Sequence, residues 1–141
     1  GLSGGNIHQA RFLIEQPLTD LINQLNEILR SILNKNPELW YSFINAYSRM
    51  ANVKPDSFKF YFGFLTIWFQ SVYRKKMGMS DPLHKTELGK KIDKFNYKYN
   101  NARLLDIVLE LEDVIFAIQD NLYMPLRLTN MILNIQKLLN P

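Results

Sequence analysis

The sequence predicts an all-α protein, a compact bundle of six to seven helices. Apolar residues recur at three- and four-residue steps along most of the chain, the spacing of one face of a helix. The clearest case is Leu18, Leu21, Ile22, Leu25, Ile28, Leu29, Ile32 and Leu33. No segment alternates cleanly with period two, and no Asn-Gly or Asp-Gly hairpin turn occurs. Capping residues followed by proline, as at Asn36-Pro37 and Asp81-Pro82, punctuate the periodic stretches where helices should begin.

A first short helix is expected from Asn6 to about Glu15, ending before Pro17 because the residue ahead of a proline disfavours helical geometry. The second follows the stripe from Leu18 to Leu33, with Thr19, Asn23, Asn26, Arg30 and Asn34 towards solvent. Asn36-Pro37-Glu38 starts the third, Pro37 to Met50, which turns Leu39, Trp40, Phe43, Ile44 and Tyr47 inward. Pro55-Asp56 opens a fourth that runs to about Met77 and is apolar on nearly every side, as suits a helix surrounded by others. Its run from Phe58 to Phe69 is too short for the roughly 18–20 residues of a membrane span. After a loop at Gly78 to Pro82, a Lys-rich fifth helix is expected from His84 to Tyr99. Gly89 lies inside it, and Leu88, Ile92 and Phe95 face inward. Asn100-Asn101 caps the sixth, whose seam is Leu104, Val108, Leu111, Ile115 and Ile118, joined by Ile107 and Val114. Pro125 starts the last, with Leu128, Met131, Ile132, Ile135, Leu138 and Leu139 on its apolar face.

With 141 residues, 47% of them hydrophobic, the chain can bury a core of its own. It has no cysteine, which excludes disulfides, Cys-ligated zinc and a thiolate nucleophile and fits a cytoplasmic setting. The start, Gly1-Leu2-Ser3-Gly4-Gly5, carries no secretory signal and no initiating Met, and reads as that of an excised fragment. His8 and His84 are the only histidines, and neither has a second metal ligand at helical spacing. Asp106, Glu110 and Asp113 share one helical face, read as solvated and flanked by Arg103 rather than as an acid–base pair. Neither phosphate-binding glycine motif is present. No catalytic residue, cofactor site or metal site is therefore assigned, and the fragment is not expected to be an enzyme.

Net charge is +4, and the segment from Arg74 to Arg103 exceeds it, with nine cations against only Asp81, Glu87 and Asp93. Between Arg74 and Arg103 lie Lys75, Lys76, Lys85, Lys90, Lys91, Lys94 and Lys98, with Tyr97 and Tyr99 interleaved. Such a segment serves either as a solvated face or as a contact for nucleic acid, with Arg74, Lys75, Lys76, Lys90, Lys91 and Lys94 as the candidate contacts. Trp40, Tyr41, Tyr47, Tyr61, Trp68 and Tyr73 cannot all be enclosed without polar partners. Some could form a protein–protein surface, although core packing is the expected fate of most.

Four ordered stretches carry a resemblance. Leu2-Ser3-Gly4-Gly5-Asn6-Ile7-His8-Gln9-Ala10-Arg11 is similar to the end of the lid domain in clamp-loader ATPase-like subunits, with His8 where ATP-binding members have a sensing arginine. Leu39-Trp40-Tyr41-Ser42-Phe43-Ile44-Asn45-Ala46 resembles an aromatic collar helix, followed by a long apolar helix that ends at Arg74-Lys75-Lys76. Asn101-Ala102-Arg103-Leu104-Leu105 resembles the start of the penultimate helix. Asn121-Leu122-Tyr123-Met124-Pro125-Leu126-Arg127-Leu128 resembles the lead into the last. The family is that of the C-terminal collar domains of bacterial clamp-loader delta-prime subunits, and the weakest match is Gly78 to Tyr99.

The resemblance implies that residues 1–16 end a preceding lid-like domain or form a lead-in helix, and that residues 17–141 are a helical collar domain. It implies a non-catalytic assembly role in the DNA polymerase III clamp loader, with the ATP-binding subunit and delta as partners and DNA touched only indirectly or weakly. The expected interface is Asn121 with the outer face of the last helix: Arg127, Asn130, Asn134 and Lys137. Polar residues there suit plain solvent exposure equally. The competing reading is a stand-alone helical DNA-binding domain that uses residues 74–103.

Overall fold

A computed structural model of the chain describes residues 18–141. Among these residues, six α-helices and one 3₁₀ turn make up the regular structure: α1 (Leu18–Leu33), α2 (Pro37–Val53), α3 (Pro55–Lys76), the 3₁₀ turn (Pro82–Lys85), α4 (Leu88–Lys98), α5 (Leu104–Ala117) and α6 (Met124–Leu139). No strand occurs among the described residues. The expected helix from Asn6 to Glu15 and the boundary at residue 16 lie outside them.

α3 is the axis because its sequence is apolar all round. It packs against α1, α2, α4 and α5, and Phe58, Phe62, Leu65, Phe69 and Val72 are fully buried. Each such side chain is worth about 1.5–3 kcal/mol when withdrawn from water. Two aromatic clusters fix its neighbours. Near its start, Phe58 and Phe62 stack at 4.2 Å and meet Phe43 and Tyr47 of α2, which stack at 4.6 Å. Further along, Trp68, Phe69 and Phe95 of α4 meet edge to face at 5.0–5.5 Å.

Polar groups follow the aromatics inward. The Tyr47 hydroxyl pairs with Gln24 of α1, and burial pushes its pKa up to about 12. Trp40 Nε1 donates to the Asn34 carbonyl at 2.7 Å. Gln136 of α6 donates to the carbonyls of Ile32 at 2.7 Å and Asn34 at 3.1 Å, and so serves the C-terminal end of α1.

The helix ends obey local chemistry. Asn36 caps α2, its side chain accepting the Glu38 amide at 2.9 Å. α3 closes with Gly78 at φ 77°, where the amides of Met79 and Gly78 donate to the carbonyls of Arg74 and Lys75. α5 ends with the same pattern around Asn121, at φ 53°: the Leu122 and Asn121 amides reach the carbonyls of Ala117 and Ile118. Glycine and asparagine are the residues that enter this left-handed region at least cost.

The expected boundaries hold for α1 and nearly for α2 and α3, and differ in three places. The segment from His84 to Tyr99 is not one helix. Asp81 starts a separate 3₁₀ turn by accepting the Leu83 amide at 2.9 Å, and the backbone becomes extended at Thr86 before α4 begins. Gly89 permits the resulting fold-back, since a Cβ there would stand 2.2 Å from the His84 carbonyl oxygen. Asn100-Asn101 does not cap α5. The pair occupies the turn after α4, Ala102 is buried beyond it, and the helix begins at Leu104. α6 starts one residue before Pro125, with Tyr123 at the N-cap.

Candidate functional site

Two surfaces qualify for recognition, one apolar and one basic. The apolar one lies on α5 and α6, which pack together. Leu105, Leu109 and Phe116 recur at i, i+4 and i+11 along α5, and Leu126 and Leu133 at i and i+7 along α6, so each set shares a helical face. With Leu122 and Tyr123 from the connection, these large side chains are 45–73% exposed. Isolated exposed leucines are ordinary, but seven on one helix pair form the kind of surface that association covers.

The residues expected at an interface are distributed around this surface. Asn130 and Lys137 are exposed on the Leu126–Leu133 face of α6, and Asn134 is exposed a step round the helix. Asn121 is exposed too, and it also supplies the left-handed turn that ends α5. Arg127 has a different position. Its Nη1 lies 2.7 Å from Glu110 Oε1 with both side chains mostly buried, and the pair ties α6 to α5. The contact is one of charge rather than an aligned hydrogen bond. On the acidic face of α5, Asp106 pairs with Arg103 at 2.8 Å, Glu110 is engaged by Arg127, and Asp113 is exposed.

The basic segment is divided by the break at Thr86. At the end of α3, Arg74 pairs with Asp81 at 2.7 Å and Lys76 donates to the Asn100 carbonyl at 2.6 Å. Lys75 borders a cleft of about 340 Å³ with Asp81, His84 and Lys85. Burial works to raise the Asp81 pKa, but the Leu83 amide and the Arg74 guanidinium outweigh it and hold the carboxyl below its usual range. Lys90, Lys91, Lys94 and Lys98 of α4 have no carboxylate partner among the described residues.

Three of these line a groove of about 360 Å³ between α1 and α4, opposite Arg30 of α1. The floor is Leu29, Leu33, Trp68, Phe95 and Tyr99, and the amides of Asn26 and Asn34 complete the rim. No carboxylate lines it among the described residues. Lys91 bridges the two helices through its hydrogen bond to Asn26. Its pKa is lowered by burial and by the neighbouring Lys94 charge. Trp68 Nε1 is buried without an acceptor.

Sequence periodicity missed Arg30 as a site residue, because a cation off the apolar stripe reads as solvent-facing until α4 is seen opposite it. It also missed the exposed leucines of α5, which the strongly apolar composition of that helix hid. His8 and the Leu2–Arg11 stretch lie outside the described residues. No described helix is long and apolar enough to cross a membrane. Compared with protein-family models, with curated proteins and with solved structures, the chain matches none.

Proposed function

We propose that the chain is a non-catalytic assembly domain, a collar sector of the delta-prime kind in a cytoplasmic DNA polymerase III clamp loader. In this reading it holds sister subunits in a ring, so that ATP bound elsewhere moves the attached ATPase-like domains together. The observation that carries the assembly role is the set of exposed apolar side chains on α5 and α6, Leu109, Phe116, Leu126 and Leu133 among them. A stable interface combines such an apolar middle with a polar rim, and Asn121, Asn130, Asn134 and Lys137 supply polar groups beside it. The clamp-loader identity rests on the ordered sequence resemblance, which runs through α2, the end of α3 and both of these helices.

The test is size-exclusion chromatography with light scattering on the chain mixed with the collar region of an ATP-binding clamp-loader subunit. Co-elution in a defined stoichiometry that persists at moderate salt is the expected result. Separate elution of the two at micromolar concentrations would remove the reading.

A further inference from the structure

The surface on α1 and α4 is unlike the one that serves assembly, and it needs a different occupant. Arg30, Lys91, Lys94 and Lys98 converge on one groove with no carboxylate among its described lining residues. In folded proteins cations so gathered are usually interleaved with acids, because like charges held close repel. Of the basic residues nearby, Arg74 and Arg103 each have an aspartate. The groove cations do not, so an anion from outside is the missing partner.

Three features narrow the kind of anion. The volume, about 360 Å³, exceeds what a lone inorganic ion fills and lies at the lower end of ordinary ligand sites. The floor is apolar and mostly enclosed, so it offers a ligand a shape rather than polar contacts. Finally, Tyr97 is 89% exposed on α4. It follows Lys90 and Lys94 at i+7 and i+3, so it stands in a row with lysines on the flank of α4, beside the groove lining and next to Lys94 rather than within it. An exposed aromatic ring in a row of cations is how proteins hold nucleic acid with unpaired bases. The phosphates meet the cations and the base faces meet the rings. Duplex DNA hides its base faces within the stack and would gain only the charge contacts.

We propose that the groove between α1 and α4 binds single-stranded nucleic acid. Its phosphates lie along Arg30, Lys94 and Lys98, and a base stacks on Tyr97. Asn26 and Asn34 at the rim can donate to and accept from base edges. This site lies on α1 and α4 and is independent of the assembly reading, which concerns α5 and α6.

The experiment is fluorescence anisotropy of a labelled twelve-nucleotide deoxythymidine oligomer titrated with the full chain at several salt concentrations. Binding should weaken with a log–log salt slope of about −3, as expected for roughly four phosphate contacts on a single strand. Replacing three exposed cations together (Arg30→Gln, Lys94→Gln, Lys98→Gln) should lower affinity at least tenfold and reduce the slope to about −1. The charge-matched control Arg49→Gln, Lys54→Gln, Lys59→Gln, outside the groove, should lose less than threefold. Tyr97→Ala should lose about fivefold or more with the slope unchanged, since stacking of one base is worth roughly 1–3 kcal/mol. Absence of binding at low salt would overturn the proposal. So would equal losses in the two triple variants, displacement by polyglutamate as effective as by unlabelled oligomer, or duplex bound as tightly as single strand.

Discussion

The outer face of α5 and α6 and the groove between α1 and α4 stand on one bundle but are built from opposite materials. The first presents leucine, phenylalanine and tyrosine, while the ionic groups beside it, Glu110 and Arg127, neutralise one another. The second presents four cations over a floor whose side chains are already enclosed. An apolar face gains by shedding water and is indifferent to salt at moderate concentrations. A cationic groove gains by exchanging small counterions for a polyanion and weakens steeply as salt rises. Ionic strength therefore separates the two surfaces without any mutation, and the contrast follows from side-chain chemistry alone.

The largest expected effect breaks one side of the comparison only. Leu109→Glu with Leu126→Glu puts two charges into the middle of the apolar face. Association with a collar partner should fall more than a hundredfold, measured by isothermal titration calorimetry, because central apolar contacts cost about 2 kcal/mol or more each when lost. Melting temperature and oligonucleotide binding should stay unchanged, as both residues are already exposed. A fall in melting temperature would mean that these leucines serve the fold.

Gly89→Ala acts on the other side. Its methyl group would meet the His84 carbonyl at 2.2 Å, and a backbone oxygen cannot step aside as a flexible side chain can. A loss of about 2–3 kcal/mol in urea unfolding is expected, in the range of overpacked interiors. Because Gly89 opens α4, oligonucleotide affinity should fall with it, whereas the partner face on α5 and α6 should not respond.

The smallest effect concerns the hinge between the two basic groups. Asp81→Ala removes the cap of the 3₁₀ turn and the partner of Arg74, at a cost of about 1 kcal/mol. Asp81 is held below the ordinary value of 3.8, so its carboxylate contributes fully above about pH 4, and that contribution is lost as pH falls further. Wild-type stability minus that of Asp81→Asn, followed by urea unfolding from pH 6 to pH 3, should shrink towards acid. A constant difference would show that the charge plays no part.

Periodicity made most of the bundle legible. Leu88, Ile92 and Phe95 face inward as their spacing required, and Asn36 caps α2 through the very amide its position offers. Legibility failed where one local signal competed with another. Asp81-Pro82 starts a helix, but four residues of 3₁₀ geometry satisfy it before Thr86 turns away. Asn100-Asn101 has capping chemistry, yet the burial of Ala102 places it one turn too early. The groove was half legible. Lysine density marked α4, but Arg30 belongs to the site only through a packing of α1 on α3 that no window of sequence contains. For the apolar face, spacing could identify a seam and could not say that α5 carries a second, uncovered one.

One hydrogen-bonded contact sets a clock on the whole architecture. Gln136 serves the Ile32 carbonyl in the last turn of α1, 104 residues earlier in the chain. During translation at about 5–20 residues per second, that carbonyl stays with water for roughly 5–20 s after α1 has been made. The helices α2 to α5 can gather on α3 in that interval, but the end of α1 can be secured only when the last helix emerges. A chain truncated shortly before residue 136 would thus hold most of the bundle with the end of α1 unlatched, the form most open to chaperones and proteases.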